Sequence, residues 1–218
     1  RLGSGVDKRV LEAATVVELT HLATLYHDDV MDDAPTRRGV ATAQHVYGNS
    51  RAILIGDLLL ARASKLSVEL GIDAIRLQAA TFERLCIGQL NESVVPEPDQ
   101  AIDHYISVLA DKTGSLIATS AVLGAQIAGA SLEVQKALAA FGEKIGVAFQ
   151  LIDDVIDISE AGPSGKTPGT DLKEGVPTLV TLQIMKSNRS EDAALKKLLS
   201  APMDDATVAQ VIPQLRQH

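Results

Sequence analysis

An all-α domain of long, tightly packed helices is the fold this sequence predicts, on three observations. Ala and Leu are abundant and apolar residues recur with helical spacing. No stretch alternates with the period of two that marks a half-buried strand. Long runs such as Val10 to Tyr26 contain neither Gly nor Pro. Taken in order, Asp7 caps the start of that first helix. Pro35 and Gly39 break the chain at Ala34 to Gly39. Residues 51–70, 74–94, 101–132, 133–158 and 178–200 read as further helices, with Pro96 and Pro98 separating two of them. Gly162 to Pro177 is the longest non-helical segment, carrying Gly162, Gly165, Gly169 and Gly175 with Pro163, Pro168 and Pro177. No repeat of 20–50 residues recurs, which excludes a solenoid.

The chain has 218 residues, 46% of them hydrophobic and 22% charged, enough for one domain with a substantial core and unlike a disordered tail. Aromatics are 3% with no Trp, and the net charge is −8, so neither a stacking surface nor a basic face for nucleic acid is present. An anionic partner must be small and met by a local site. Cys86 is the only cysteine, which excludes an internal disulfide and points to a reducing compartment. Gly114 to Leu132 is uncharged over 19 residues. Ser115, Thr119, Ser120, Gln126 and Ser131 keep its hydropathy low, so it reads as a buried helix and not as a transmembrane span. The chain begins Arg1-Leu2-Gly3 without Met and stops at Gln217-His218 within a polar helical pattern, so it is expected to be part of something longer.

One short element recurs: Asp28-Asp29-Val30-Met31-Asp32 and Asp153-Asp154-Val155-Ile156-Asp157 share four of five residues. With 17 Asp in the chain, a chance DDxxD arises roughly 0.1 times. On a helix, positions i and i+4 share a face and i+1 lies about 100° round, so each motif presents three carboxylates together. An exposed acidic face would cost only about 0.2–0.5 kcal/mol per like pair. Both motifs, however, follow apolar sequence: Leu22, Leu25 and Tyr26 before the first, Phe149, Leu151 and Ile152 before the second. If the two helices converge, carboxylates about 5 Å apart repel by roughly 3 kcal/mol per pair at an effective dielectric near 20, and cations must offset that. Oxygen-only donors select a hard ion, and Mg²⁺ takes one or two carboxylates plus phosphate oxygens. Arg37 and Arg38, just past Asp32, supply forks that match phosphate oxygens in bidentate fashion.

Three segments carry a resemblance. His27-Asp28-Asp29-Val30-Met31-Asp32 with Thr36-Arg37-Arg38-Gly39, then Phe149-Gln150-Leu151-Ile152-Asp153-Asp154-Val155-Ile156-Asp157, then Gly165-Lys166-Thr167-Pro168-Gly169-Thr170-Asp171, closely resemble the trans-prenyltransferases, or polyprenyl diphosphate synthases. The resemblance implies a single-domain bundle of long antiparallel helices around a central cavity, of the isoprenoid synthase type. It covers about residues 10–185, and the chain as a whole, 1–218, is expected to be one such domain lacking its N-terminal helices and C-terminal end. It implies coupling of an allylic diphosphate to isopentenyl diphosphate by a cytoplasmic homodimer acting near the membrane, with three Mg²⁺ per active site. Asp28 and Asp32 would bind two Mg²⁺ and Asp153 a third, with Asp29, Asp154 and Asp157 in support. Arg37 would contact the allylic diphosphate and Arg38 isopentenyl diphosphate. Gly88-Gln89 with Glu92 matches the family's segment facing the metals. Lys112-Thr113, at a helix break supplied by Gly114, would reach the diphosphate and the developing cation, and Gln150 and Lys166 would complete the second side.

Product size in this family is gated just upstream of the first motif. Thr20, Ala23 and Thr24 stand there, none aromatic, so the tunnel is expected to be open and the product longer than twenty carbons; small packing residues are the alternative. Two departures stand out. The family's Gly-Lys-Arg segment for isopentenyl diphosphate lies upstream of the first motif and is not in this sequence. Val176 stands where many members carry a second Lys. The rivals are a non-catalytic subunit or inert fragment that binds Mg²⁺ and diphosphate, and a terpene cyclase, whose second metal motif is usually Asn/Asp-Ser/Thr-Glu. Gly165-Lys166-Thr167 is no P-loop, because Glu160 stands where that motif needs Gly and no parallel sheet is available. His27-Asp28 lacks the companion histidines of a His-Asp phosphohydrolase.

Overall fold

The structure is a computed structural model describing residues 8–159 and 168–218. The capping role expected of Asp7 lies outside the described residues. Among those residues the chain forms eleven α-helices and one hairpin of two-residue strands. The described residues group into two compact units. One holds the described residues through Cys86 together with Gly114–Glu143, the other Ile87–Thr113 together with the described residues from Lys144 to His218. The boundaries fall inside helices, so α4 (Ile72–Glu92) and α7 (Leu132–Asp157) contribute to both.

In the first unit, α1 (Lys8–Met31) packs along α3 (Asn49–Leu70) and, over a shorter length, against α6 (Ser115–Ile127). Ala13, Val16, Thr20 and Ala23 are buried on α1, at the three- and four-residue steps that keep one face inward. Ala13, Val16, Ala63, Leu70, Ala74 and Leu123 form the core, with Val17, Leu19, Leu66, Leu77 and Ile127 around it. Small residues let helices approach closely. Gly142 on α7 lies against α6, where an added Cβ would stand 2.7 Å from Ala118 Cα and 2.9 Å from its backbone nitrogen. Gly142→Ala gains about 0.5–1 kcal/mol of helix propensity. Forcing a methyl into backbone costs about 1–3 kcal/mol, so a lowered thermal midpoint is expected.

The second unit buries Leu172, Ile184, Leu195, Val208, Val211, Ile212 and Leu215. These come from α8 (Thr170–Glu174), α9 (Leu179–Lys186), α10 (Ala193–Leu199) and α11 (Asp205–Gln217). The helix expected over 178–200 is broken in two, because Ser187 adopts an extended backbone and a 3₁₀ turn at Ser190–Asp192 intervenes. The sequence Ser187-Asn188-Arg189-Ser190 is rich in residues whose side chains compete for backbone hydrogen bonds. The helix expected over 101–132 is likewise divided into α5 (Ala101–Leu109), a π-helical turn at Ala110–Gly114, and α6. By length and composition 101–127 could cross a membrane. The turn within it carries Asp111 and Lys112, and Val108, Leu109, Ala118, Leu123 and Ala125 are buried.

Helix α11 holds Pro213 in its interior, at a cost of about 3 kcal/mol, and buries Val208, Val211, Ile212 and Leu215 against it. Its N-cap is Asp204, whose carboxylate accepts from the Thr207 N–H at 2.8 Å and hydroxyl at 2.7 Å. These bonds hold the Asp204 carboxyl below its usual value. A depressed carboxyl contributes stability above its unfolded pKa and loses it as pH falls through the folded one. Asp204→Ala is therefore expected to lower the thermal midpoint at neutral pH, with the difference from the native chain vanishing below the usual carboxylate range.

Candidate functional site

Both acidic motifs lie at the C-terminal ends of long helices, the first closing α1 and the second closing α7. Neither helix has a basic residue in its last turn. A helix C-terminus carries partial negative charge, so each carboxylate there is disfavoured by about 0.3–1 kcal/mol.

In the first unit, the α1 terminus is held by His27. Its imidazole covers Gly56 of α3 so closely that a Cβ there would overlap the ring, and Nε2 lies 3.2 Å from the Ile53 carbonyl and 3.4 Å from Asp57 Oδ1. Asp28 is half-buried and Asp32 exposed, while Asp29 is only 6% exposed. Arg37 donates its Nε–H to Asp29 Oδ1 at 2.6 Å. A hairpin returns it there: β1 (Thr36–Arg37) pairs antiparallel with β2 (Val40–Ala41). The connecting residues Arg38 and Gly39 both have positive φ, 52° and 76°, as a two-residue hairpin turn requires. Arg38 is exposed at that turn. Buried Thr42 and Gln44 fix the hairpin by donating to the Ala34 carbonyl at 2.6 and 3.0 Å. The strands are short, and the sequence reading had no strand here. Two residues a side give no alternation to detect.

Ala23 has no accessible surface and Thr20 is 2% exposed, with its hydroxyl on the Val16 carbonyl at 2.8 Å. Both lie on the packed face of α1. Thr24 alone of the three retains accessible surface, with its hydroxyl on the His21 carbonyl at 2.8 Å.

In the second unit, the π-turn carries Lys112 and Thr113, both half-buried. Lys112 Nζ lies 2.6 Å from Glu92 Oε2, which also accepts from Gln89 Nε2 at 3.1 Å. Gly88 makes this possible: an added Cβ would stand 2.9 Å from Asp111 Cβ and 3.0 Å from the Lys112 backbone nitrogen. A widened turn of this kind is frequent at functional sites. On α7, Gln150 and Asp153 are half-buried. Asp154, 6% exposed, accepts from the Tyr105 hydroxyl at 2.6 Å and the Leu179 N–H at 3.1 Å, both on Oδ2. Burial pushes its carboxyl above the ordinary value, the two hydrogen bonds pull it down, and Asp153 and Asp157 push it up again. Asp157 accepts from the Thr170 and Asp171 N–H groups at 3.1 and 3.3 Å, tying α7 to the start of α8. Lys166 lies outside the described residues. The sequence reading missed Tyr105 and Leu179; nothing in composition or spacing distinguishes that tyrosine before α5 and α7 are placed together.

Among the described residues, no group of three or more His, Cys, Asp or Glu side chains is arranged to hold a metal ion by itself. The donors at both motifs are oxygens only, which fits Mg²⁺, an ion bound by one or two carboxylates and completed by phosphate oxygens.

Long helices ending in paired aspartate motifs define an all-α fold of the isoprenoid synthase type. The chain belongs to the polyprenyl synthetase family, whose model matches residues 2–215. It is 46% identical over 210 residues to a nonaprenyl diphosphate synthase of Mycobacterium tuberculosis, covering 95% of this chain and 63% of that protein. It is 37% identical over 188 residues to an octaprenyl diphosphate synthase of Haemophilus influenzae, covering 85% of this chain and 57% of the other. Its fold matches a geranylgeranyl pyrophosphate synthase of Corynebacterium glutamicum, solved with calcium and isoprenyl diphosphate, at TM-score 0.86 and 45% identity, over 99% of this chain and 66% of that one. The chain thus spans less than two thirds of the length of these relatives.

Proposed function

We propose that the chain belongs to a chain-elongating prenyltransferase that condenses an allylic diphosphate with isopentenyl diphosphate, giving a polyprenyl diphosphate longer than C20. The observation that carries this reading is the pair of acidic motifs, each at a helix terminus that disfavours negative charge and each with oxygen donors only. Mg²⁺ fits them, with two ions at Asp28 and Asp32 and a third at Asp153; bound there, it would neutralise the diphosphate and make it a leaving group. Asp29 aims the Arg37 guanidinium, which binds the allylic diphosphate, and Arg38 binds isopentenyl diphosphate. Lys112, held by Glu92, stabilises the departing diphosphate with Lys166, while Gln89, Thr113 and Gln150 orient the substrates. As the allylic C–O bond breaks, its electron pair leaves with the diphosphate. The double bond of isopentenyl diphosphate attacks the resulting cation, and the proton then lost goes to the released diphosphate. No protein nucleophile is required, and apolar helix faces exclude water that would quench the cation.

Product length beyond C20 is supported by the names of the nonaprenyl and octaprenyl relatives. The geranylgeranyl match of similar identity makes product sizing part of the test. Homodimerisation in the cytoplasm, close to the membrane that receives a greasy product, belongs to the same proposal. One flank of α3 exposes Leu54, Leu58 and Val68 and suits a subunit contact. A second reading, a fragment that binds Mg²⁺ and diphosphate without turning over, draws on the share of the relatives' length that this chain spans. Labelled isopentenyl diphosphate, supplied with geranyl, farnesyl or geranylgeranyl diphosphate with and without Mg²⁺, separates them. Mg²⁺-dependent products longer than C20 are expected. Tight diphosphate binding with no product would favour the second reading.

A further inference from the structure

We propose that Tyr105 is a positioning residue for the second acidic motif: with the Leu179 N–H it holds the Asp154 carboxylate, and so sets the direction in which neighbouring Asp153 presents its own carboxylate. The inference rests on the reading that Asp153 holds a metal ion. Its structural basis is one atom, Asp154 Oδ2, on which two donors from different helices converge at 2.6 and 3.1 Å. Tyr105 comes from α5 and Leu179 from the first turn of α9, so three elements meet at a carboxylate 6% exposed.

The electrostatics explain why such a clamp is needed. Asp154 sits on the negative end of α7 between Asp153 and Asp157, and left alone it would turn outward to water. The N-terminus of α9 offers the opposite polarity. There the Thr178 side chain caps the Thr181 N–H, while the Leu179 N–H goes to Asp154. Burial first, then the hydrogen bond to Asp154 and the charges of Asp154, Asp171 and Glu92, push the phenol far above its ordinary range. The phenol O–H donates its hydrogen bond to Asp154 Oδ2 at 2.6 Å. The same helical run carries Lys112 seven residues on, so this hydrogen bond ties the ammonium-bearing segment to the carboxylate-bearing one. Groups that orient metal ligands in this way typically cost 10–100-fold in metal affinity or activity when removed.

The test is Mg²⁺ titrated calorimetrically into the chain with inorganic diphosphate present, for the native protein, Tyr105→Phe, Asp154→Asn and the double variant. Tyr105→Phe is expected to weaken Mg²⁺ binding by about 10–100-fold, with the thermal midpoint little changed. The double variant is expected to bind no more weakly than Asp154→Asn alone, because both substitutions remove one contact. Native-like Mg²⁺ affinity in Tyr105→Phe, with or without a lower midpoint, would overturn the positioning role while leaving the proposed function standing. Failure of the native chain to bind Mg²⁺ would overturn both.

Discussion

Asp28→Ala or Asp153→Ala is expected to lower turnover by about 10²–10³-fold or more while leaving the protein folded. Each aspartate stands at the negative end of a helix with no basic residue in its last turn. Removing it relieves an unfavourable interaction of about 0.3–1 kcal/mol. Asp29→Ala should behave differently. Asp29 is buried against Arg37 at 2.6 Å, so its loss strands a guanidinium and is expected to lower both stability and turnover. Thermal melts and incorporation of labelled isopentenyl diphosphate on the three variants check this contrast. Unchanged turnover in both Asp28→Ala and Asp153→Ala would sink the metal assignment.

Gly88→Ala is expected to reduce turnover severalfold through Lys112, although Gly88 itself has no chemistry to offer. The new methyl would stand 3.0 Å from the Lys112 backbone nitrogen and 2.9 Å from Asp111 Cβ. Backbone cannot swing aside as a side chain can, so the π-turn must shift by a few tenths of an ångström. The shift moves an ammonium that Glu92 holds at 2.6 Å. Misplacement on the scale of 1 Å is enough to cost about 10²-fold where catalysis depends on charge placement. Glu92→Gln provides the comparison: it keeps the turn and loses the charge partner, and it is expected to fall between native and Gly88→Ala. Native turnover in a folded Gly88→Ala would show that the turn does not set the position of Lys112.

Much of this was legible in the sequence, for identifiable reasons. The helices over 10–26, 51–70, 74–94 and 133–158 are long and periodic, and the structure extends or trims them by a few residues. The two acidic motifs were visible because a repeated pattern of one residue type at fixed spacing rises above composition. What escaped has physical causes too. The break at Ser187 is a local competition between side chains and backbone that helical periodicity does not register. The hairpin carrying Arg37 is set by positive φ at Arg38 and Gly39, and the first of these is not a residue that announces such a turn. Helix α11 hides behind Pro213, whose cost its buried apolar face offsets. At the site, Tyr105 lies 49 residues from its partner Asp154, and only tertiary structure joins them. Ala23 has no accessible surface, which the sequence alone does not tell, because a small side chain can equally well admit a neighbouring helix.

The central claim is that the two acidic motifs hold the metal ions of a diphosphate site. Anomalous scattering from crystals grown with Mn²⁺ and inorganic diphosphate addresses it directly, because it locates the ions without reference to turnover. Ions are expected against the carboxylates of Asp28 and Asp32 and a further ion against Asp153, with diphosphate oxygens completing their coordination. Ions bound elsewhere, or diphosphate bound with no ion at either motif, would contradict it.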